Sequence, residues 1–244
     1  MIGYISCIIA FILCAFVYVR MVRREVSGTL GKNSVIPVLL GLVAPILTFV
    51  LVILFGAFIT KYAGKNAFSG IDNLVLRSLA RAFVGAGFTE EFMKLMLALL
   101  AVAIVKPKNV YSYALMFVGV GFGFTALEEV IYGGGNDLIS LARLPGFAIH
   151  MVLGIIMGVN LGIARYEKKQ GVPGSGAHVF MGLVLPVAWH TIYDATTVDN
   201  AGIETESDIA ILAFLIVDIA TIVMQFVLLS KFKKKSAEYC QMEV

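Results

Sequence analysis

Residues 110–132 read VYSYALMFVGVGFGFTALEEVIY, and no charge occurs in them before Glu128. A helix needs about 20 predominantly apolar residues to cross a bilayer, and this segment is long enough. Gly119, Gly121 and Gly123 lie inside it with no strand before them. They therefore do not form a nucleotide loop. Small residues at mid-membrane let neighbouring helices approach closely. The pair Glu128–Glu129 near one end is what an ordinary lipid-facing helix avoids.

The rest of the chain repeats the pattern. Apolar segments run over about 2–19, 35–59, 89–105, 110–132, 145–164, 178–197 and 208–230. The 244 residues are 59% hydrophobic and 14% charged, whereas soluble domains carry about 25% charged residues. No more than about 30 consecutive residues remain for a soluble module. The expected fold is all-α, a polytopic transmembrane helix bundle of about seven spans, forming one membrane domain over 1–244. Residues 71–88 are the ambiguous part. They are apolar but place Arg77 and Arg81 one turn apart, which reads as an interfacial or re-entrant amphipathic helix. An eighth span is the alternative.

The N-terminal apolar run lacks a basic leader and a small-residue cleavage site, so it reads as a retained helix. Lysine and arginine favour the cytoplasmic side of a membrane protein. With the N-terminus outside and the C-terminus cytoplasmic, 13 of the 19 Lys and Arg fall in inside loops. The loop 198–208, VDNAGIETESD, has no cation and falls outside. The net charge of +3 is explained by topology and implies no nucleic-acid partner. Cys7, Cys14 and Cys240 form no CxxC pair and read as small packing residues.

Within this frame several ionisable residues stand out. Glu90, Glu91 and Lys94 occur in TEEFMK, Glu128 near the end of the fourth span, His150 at the start of the fifth, and His190 and Asp194 in WHTIYD. A charge near the bilayer centre costs roughly 2.5–3.5 kcal/mol or more. At about 1.5 Å per residue, all of them fall within roughly 10 Å of the outer boundary, on helices that run in both directions. Glu90 and Lys94 are i,i+4 and share a face, and Glu91 points about 100° away. Phe124, Glu128 and Tyr132 form one stripe, and His190 and Asp194 form another, in which Asp194 can orient His190. Arg143 lies just outside and can anchor a carboxylate or a substrate carbonyl. Blander readings exist for single residues: Glu90 and Glu91 as helix-dipole partners, Glu129 as structural, His178 as interfacial, Asp218 and Gln225 as packing groups. The coincidence of Glu90, Glu91, Glu128, His150 and His190 at one depth is what marks a site.

A carboxylate beside a neutral imidazole can activate water as a general base. The same set can instead bind a divalent metal such as Zn²⁺ through Glu128, His150 and His190. HExxH is absent, as are Ser-His-Asp and Cys-His patterns. The rival classes are an ion- or proton-coupled transporter and a non-enzymatic membrane immunity or assembly factor. A carrier should place its polar groups at the midplane and show repeated halves; here they lie near one surface and no repeat is visible.

At these residues the sequence resembles the PrsW family of intramembrane proteases, within the wider group of CAAX prenyl endopeptidases and bacteriocin-immunity-type proteins. The matching pieces are EEFMK (90–94), GFGFTALEEVIY (121–132), Arg143, HMVLG (150–154) and HTIYD (190–194), covering roughly 85–197 as a catalytic core. Glu129 stands where the family often has Asn, and Asp194 where Asn is frequent. The resemblance implies peptide-bond hydrolysis in the membrane by Glu90, Glu91, Glu128, His150 and His190, with a glutamate-dependent or a metal-dependent mechanism. It also implies a membrane-spanning protein substrate, such as an anti-sigma factor, receiving its first cut near the extracytoplasmic surface.

Overall fold

The computed structural model describes residues 2–28, 30–64, 68–133, 144–196 and 208–244. Arg143 and the acidic loop after residue 196 lie outside them, so the roles read for both are not addressed by the structure. The long helices are α1 (Ile2–Val22), α2 (Val35–Ala63), α4 (Phe88–Val105), α5 (Val110–Gly133), α6 (Ile149–Gln170), α7 (Ser175–Thr196) and α8 (Asp208–Lys234). Two short helices join them, α3 (Leu74–Ala82) and α9 (Ser236–Gln241). Among the described residues, six helices are long and apolar enough to cross a membrane. The seventh long helix, α4, is 18 residues long and carries Glu90, Glu91 and Lys94. The architecture is an all-α polytopic bundle, as the hydropathy pattern predicts. The fifth span begins at Ile149, later than the 145 read from sequence, because a 3₁₀ turn over Leu144–Gly146 precedes it.

Helix α5 is the centre. From Val110 to Thr125 every residue is buried, which is why its sequence is apolar all round. Helix α1 lies against it through Cys7, Ala10, Cys14, Tyr18 and Met21, spaced three and four apart on one buried face. Its other face exposes Ile5, Ile8, Ile12 and Phe16, as a lipid-facing helix should. Both cysteines are buried, and Cys7 donates to the Glu129 carbonyl at 2.8 Å. The first cysteine therefore sits closer to the ionisable cluster than its sequence position implies.

The glycines of α5 are contact points. A Cβ on Gly123 would meet the Val38 carbonyl and the backbone of Gly41 on α2. A Cβ on Gly121 would meet the carbonyl of His150 on α6. Close backbone approach sets the distance between these helices. Gly121→Val should therefore lower stability by about 1–3 kcal/mol, read as a lower thermal unfolding midpoint in detergent. Gly56 faces open space, so Gly56→Ala should leave the midpoint unchanged or slightly raised.

The ambiguous segment is now explicit. Asn73 caps α3, its side-chain oxygen accepting from the Leu76 N–H at 3.0 Å. At nine residues, α3 is only about 14 Å long and cannot span about 30 Å of hydrocarbon. It continues into α4 through a π-helical turn over Phe83–Gly87, packing Ala82 and Leu79 on Ala195 of α7. At the opposite end of the bundle the tail docks back. The Val110 N–H donates to Met242 at 2.9 Å and the Val244 N–H to Lys108 at 3.0 Å.

Candidate active site

Helices α4 and α6 begin where α5 and α7 end, so four helix termini meet at one end of the bundle. Each presents its ionisable residues there. The second residue of α6, His150, is 3% exposed, and His190 of α7 is 2% exposed. Glu91, Lys94, Glu128 and Asp194 are also buried. The backbone beneath His150 is held from α8, where the Gln225 side chain accepts the Ala148 N–H at 3.0 Å.

Lys94 is the hub. Its ammonium donates to Glu90 Oε2 at 3.1 Å, to Glu91 Oε1 at 3.0 Å and to His150 Nδ1 at 2.8 Å. It also lies 3.7 Å from the centre of the Phe124 ring, a cation–π contact. An ammonium has donors only, so Nδ1 of His150 must accept and the ring proton sits on Nε2. That N–H points at Glu128 Oε2, 2.6 Å away. His190 Nδ1 lies 2.8 Å from Glu91 Oε1 and donates to it. His190 Nε2 faces Glu90 Oε2 and Asp194 Oδ2, each at 3.6 Å. The two imidazole rings are 5.2 Å apart.

Two details lie beyond the sequence reading. Glu90 and Glu91, adjacent and about 100° apart on the helix, both reach His190 and both bind Lys94. Glu91 holds His190 Nδ1 from across the helix interface, while Asp194, one turn away, faces Nε2 at 3.6 Å. Phe124 appeared in sequence only as a member of an i,i+4 stripe, and its place beneath Lys94 depends on how α4 and α5 meet. Arg81 read as part of an interfacial helix, yet it lines a cavity with Glu90 and Glu128. His178 pairs with Glu167 at 2.9 Å, far along α7 from the cluster.

Three spaces surround the cluster. One of about 540 Å³ lies between α2, α3 and α5 and reaches Arg81, Glu90 and Glu128. A second, of about 890 Å³ and apolar, lies between α3, α4 and α7 and ends at Glu91 and Thr191. The third, of about 10 Å³, is enclosed by Glu128, His150, His190 and Asp194 among others, close to the volume that one water occupies.

Ligand atoms of Glu90, His150 and His190 all lie within 4.8 Å of one another. Two imidazoles, one carboxylate and room for water suit zinc with an open position once His150 releases Lys94 from Nδ1 or Glu128 from Nε2. The Glu91–His190 contact is the carboxylate–histidine support that metal-binding imidazoles use. The residues therefore fit a divalent metal. The carboxylate in this set is Glu90; Glu128, the ligand read from sequence, is engaged with Nε2 of His150.

A helical bundle with six helices fit to cross a membrane and buried glutamates and histidines at one end defines a class: a polytopic membrane protein with a candidate polar centre inside it. The chain matches the sequence profile of the PrsW family intramembrane metalloproteases over residues 35–227. It belongs to that family. It is 34% identical over 121 residues to Protease PrsW of Halalkalibacterium halodurans, covering 48% of this chain and 54% of that protein. It is 32% identical over 127 residues to Protease PrsW of Shouchella clausii, covering 50% and 57%. Against Protease PrsW of Bacillus subtilis it is 27% identical over 116 residues. The chain spans about half the length of the curated relatives it matches. No solved structure matches it.

Proposed function

We propose that this chain is an intramembrane endopeptidase whose centre is Glu90, Glu91, Glu128, His150 and His190, supported by Lys94 and Asp194. The observation that carries the reading is two buried imidazoles, each oriented by its own carboxylate, that line a space the size of one water, with His190 also facing Glu90.

Hydrolysis of a peptide bond needs water deprotonated at the carbonyl carbon and the proton returned to the departing nitrogen. Glu90 is the base: it borders the cavity that holds Arg81, whereas Glu91 is fixed on His190. Water attacks the carbonyl carbon as its proton passes to Glu90, the C–N bond breaks, and Glu90 returns that proton to the amine nitrogen. Glu91 holds His190 with Nε2 facing the reacting centre, and Glu128 holds His150. Lys94 offsets the charge of the two glutamates. Arg81 supplies a cation in the cavity toward which a carbonyl oxygen developing negative charge can turn. Where Glu90, His150 and His190 hold zinc, the metal would polarise the carbonyl and acidify water, and Glu90 would serve as a ligand in place of the base.

The substrate proposed is a single-pass membrane protein of the anti-sigma-factor kind. The cavity between α2, α3 and α5, walled by Ile46, Phe49 and Val52, suits a hydrophobic segment that reaches Glu90 and Arg81. With the N-terminus outside and the C-terminus cytoplasmic, the cluster lies under the extracytoplasmic surface, where the first cut would fall.

The test is cleavage of a single-pass reporter in proteoliposomes, with zinc measured in the same preparation. Activity should fall with a zinc chelator, return with added Zn²⁺, and track a content near one zinc per chain. His190→Ala should lose both zinc and activity. Full activity in zinc-free protein would remove the metal and leave the glutamate mechanism. Full activity in His190→Ala would exclude this centre altogether.

A further inference from the structure

The opposite end of the bundle carries a second built feature. A cavity of about 720 Å³ lies between α4, α5 and α6, and Lys106, Lys108, Arg165 and Lys169 all line it. None of these cations belongs to the centre described above, which is about 21 Å away along α4. The cavity is two-sided. Beyond the cations its wall is Leu99, Ala103 and Tyr113, and Leu99 and Ala103 are exposed on the outer face of α4, where acyl chains would run.

The backbone is also specialised there. Lys106 caps α4 with a φ of 53°, a left-handed conformation uncommon for a residue with a side chain. It turns the chain sharply into Pro107 and Lys108. The docked tail completes the wall with Glu243 and Val244. Glu243 touches Lys169 only loosely, at 3.6 Å and largely exposed. Among the described residues, Lys106, Lys108 and Arg165 make no ion pair and remain for a ligand.

We infer that this cavity binds an anionic phospholipid, its phosphate among Lys106, Lys108, Arg165 and Lys169 and an acyl chain along Leu99, Ala103 and Tyr113. Basic pockets between transmembrane helices bind anionic headgroups. A free phosphate would use the cations but not the apolar wall, and a zwitterionic lipid would use the wall but meet four cations without a net charge.

Native mass spectrometry of the detergent-purified chain tests this. The probes are phosphatidylglycerol, phosphatidylcholine with the same acyl chains, and glycerol phosphate. Phosphatidylglycerol should be retained through delipidation and the other two lost. The variant Lys106→Asn/Arg165→Gln removes two cations while Asn accommodates the left-handed backbone. Retention should fall about 30-fold, with the unfolding midpoint unchanged. If that variant does not fold, Lys108→Gln/Lys169→Gln addresses the same cavity. The charge-matched control is Lys231→Gln/Lys233→Gln on α8, outside the cavity, and it should keep the lipid. Equal retention of phosphatidylcholine or of glycerol phosphate overturns the inference. So does an equal loss in the α8 control, which would mean diffuse attraction to basic ends. The readout is binding and needs no proteolysis, so it stands or falls apart from the proposed activity.

Discussion

Glu90→Gln should lower reporter cleavage by about 10²–10⁴-fold, the range for losing a general base. Glu91→Gln should lower it by only about 10–100-fold, the range for losing the partner that orients a functional histidine. The two glutamates are neighbours in sequence and share Lys94, so composition alone ranks them equally. Their surroundings do not. Glu91 is nearly inaccessible and fixed on His190 Nδ1 at 2.8 Å. Glu90 lies 3.6 Å from His190 Nε2 and borders the cavity that contains Arg81. In Glu91→Gln the amide oxygen can still accept the imidazole proton, which keeps the ring roughly in place. In Glu90→Gln nothing remains to take a proton from water. Initial rates in proteoliposomes measure the ranking, with thermal midpoints confirming that both variants fold. Equal losses, or a larger loss at Glu91, would reverse the assignment.

The largest expected effect on stability is at Lys94. Its ammonium is buried and serves Glu90, Glu91 and His150 together. Lys94→Met keeps much of the aliphatic stem but leaves two adjacent carboxylates without their cation in an apolar setting. Breaking a buried ion pair from one side costs about 3–5 kcal/mol, enough to unfold many domains outright. The added change Glu91→Gln removes one stranded charge. Lys94→Met/Glu91→Gln should therefore be more stable than the sum of its two single changes by about 0.5–3 kcal/mol. Unfolding midpoints of the four proteins in one detergent measure the coupling. Strict additivity would mean that Lys94 and Glu91 do not depend on each other.

The sequence is informative about this site for a physical reason. A buried charge inside an apolar span is costly, so each one is visible against its background, and helix rise converts its position into depth. Counting residues from the span ends therefore brings Glu90, Glu91, Glu128, His150 and His190 to one level, and the structure brings the same residues into contact. Contacts within one helix were also legible: Glu90 with Lys94 is an i,i+4 pair in both views. Rotation about the helix axes was not. Depth says nothing of which face of α4 meets which face of α7, so Asp194, one turn from His190, is legible as its neighbour, whereas the contact of Glu91 with His190 Nδ1 from across the interface is not. Arg81 was hidden for a related reason. Its helix looks like a surface element until the turn after Ala82 shows where α3 leads.

That turn has its own consequence for the chain's tolerance of changes in length. Loops absorb an added or lost residue at little cost, but Phe83–Gly87 lies within one continuous helical path. Removing a single residue there would restore ordinary α-helical winding and swing Leu74–Ala82 by about 100° around its axis. Arg81 would leave the cavity wall and Ala82 would leave Ala195. The amphipathic segment is thus aimed by arithmetic: the number of residues between Ala82 and Phe88, more than the strength of any one contact, sets the direction in which its side chains face.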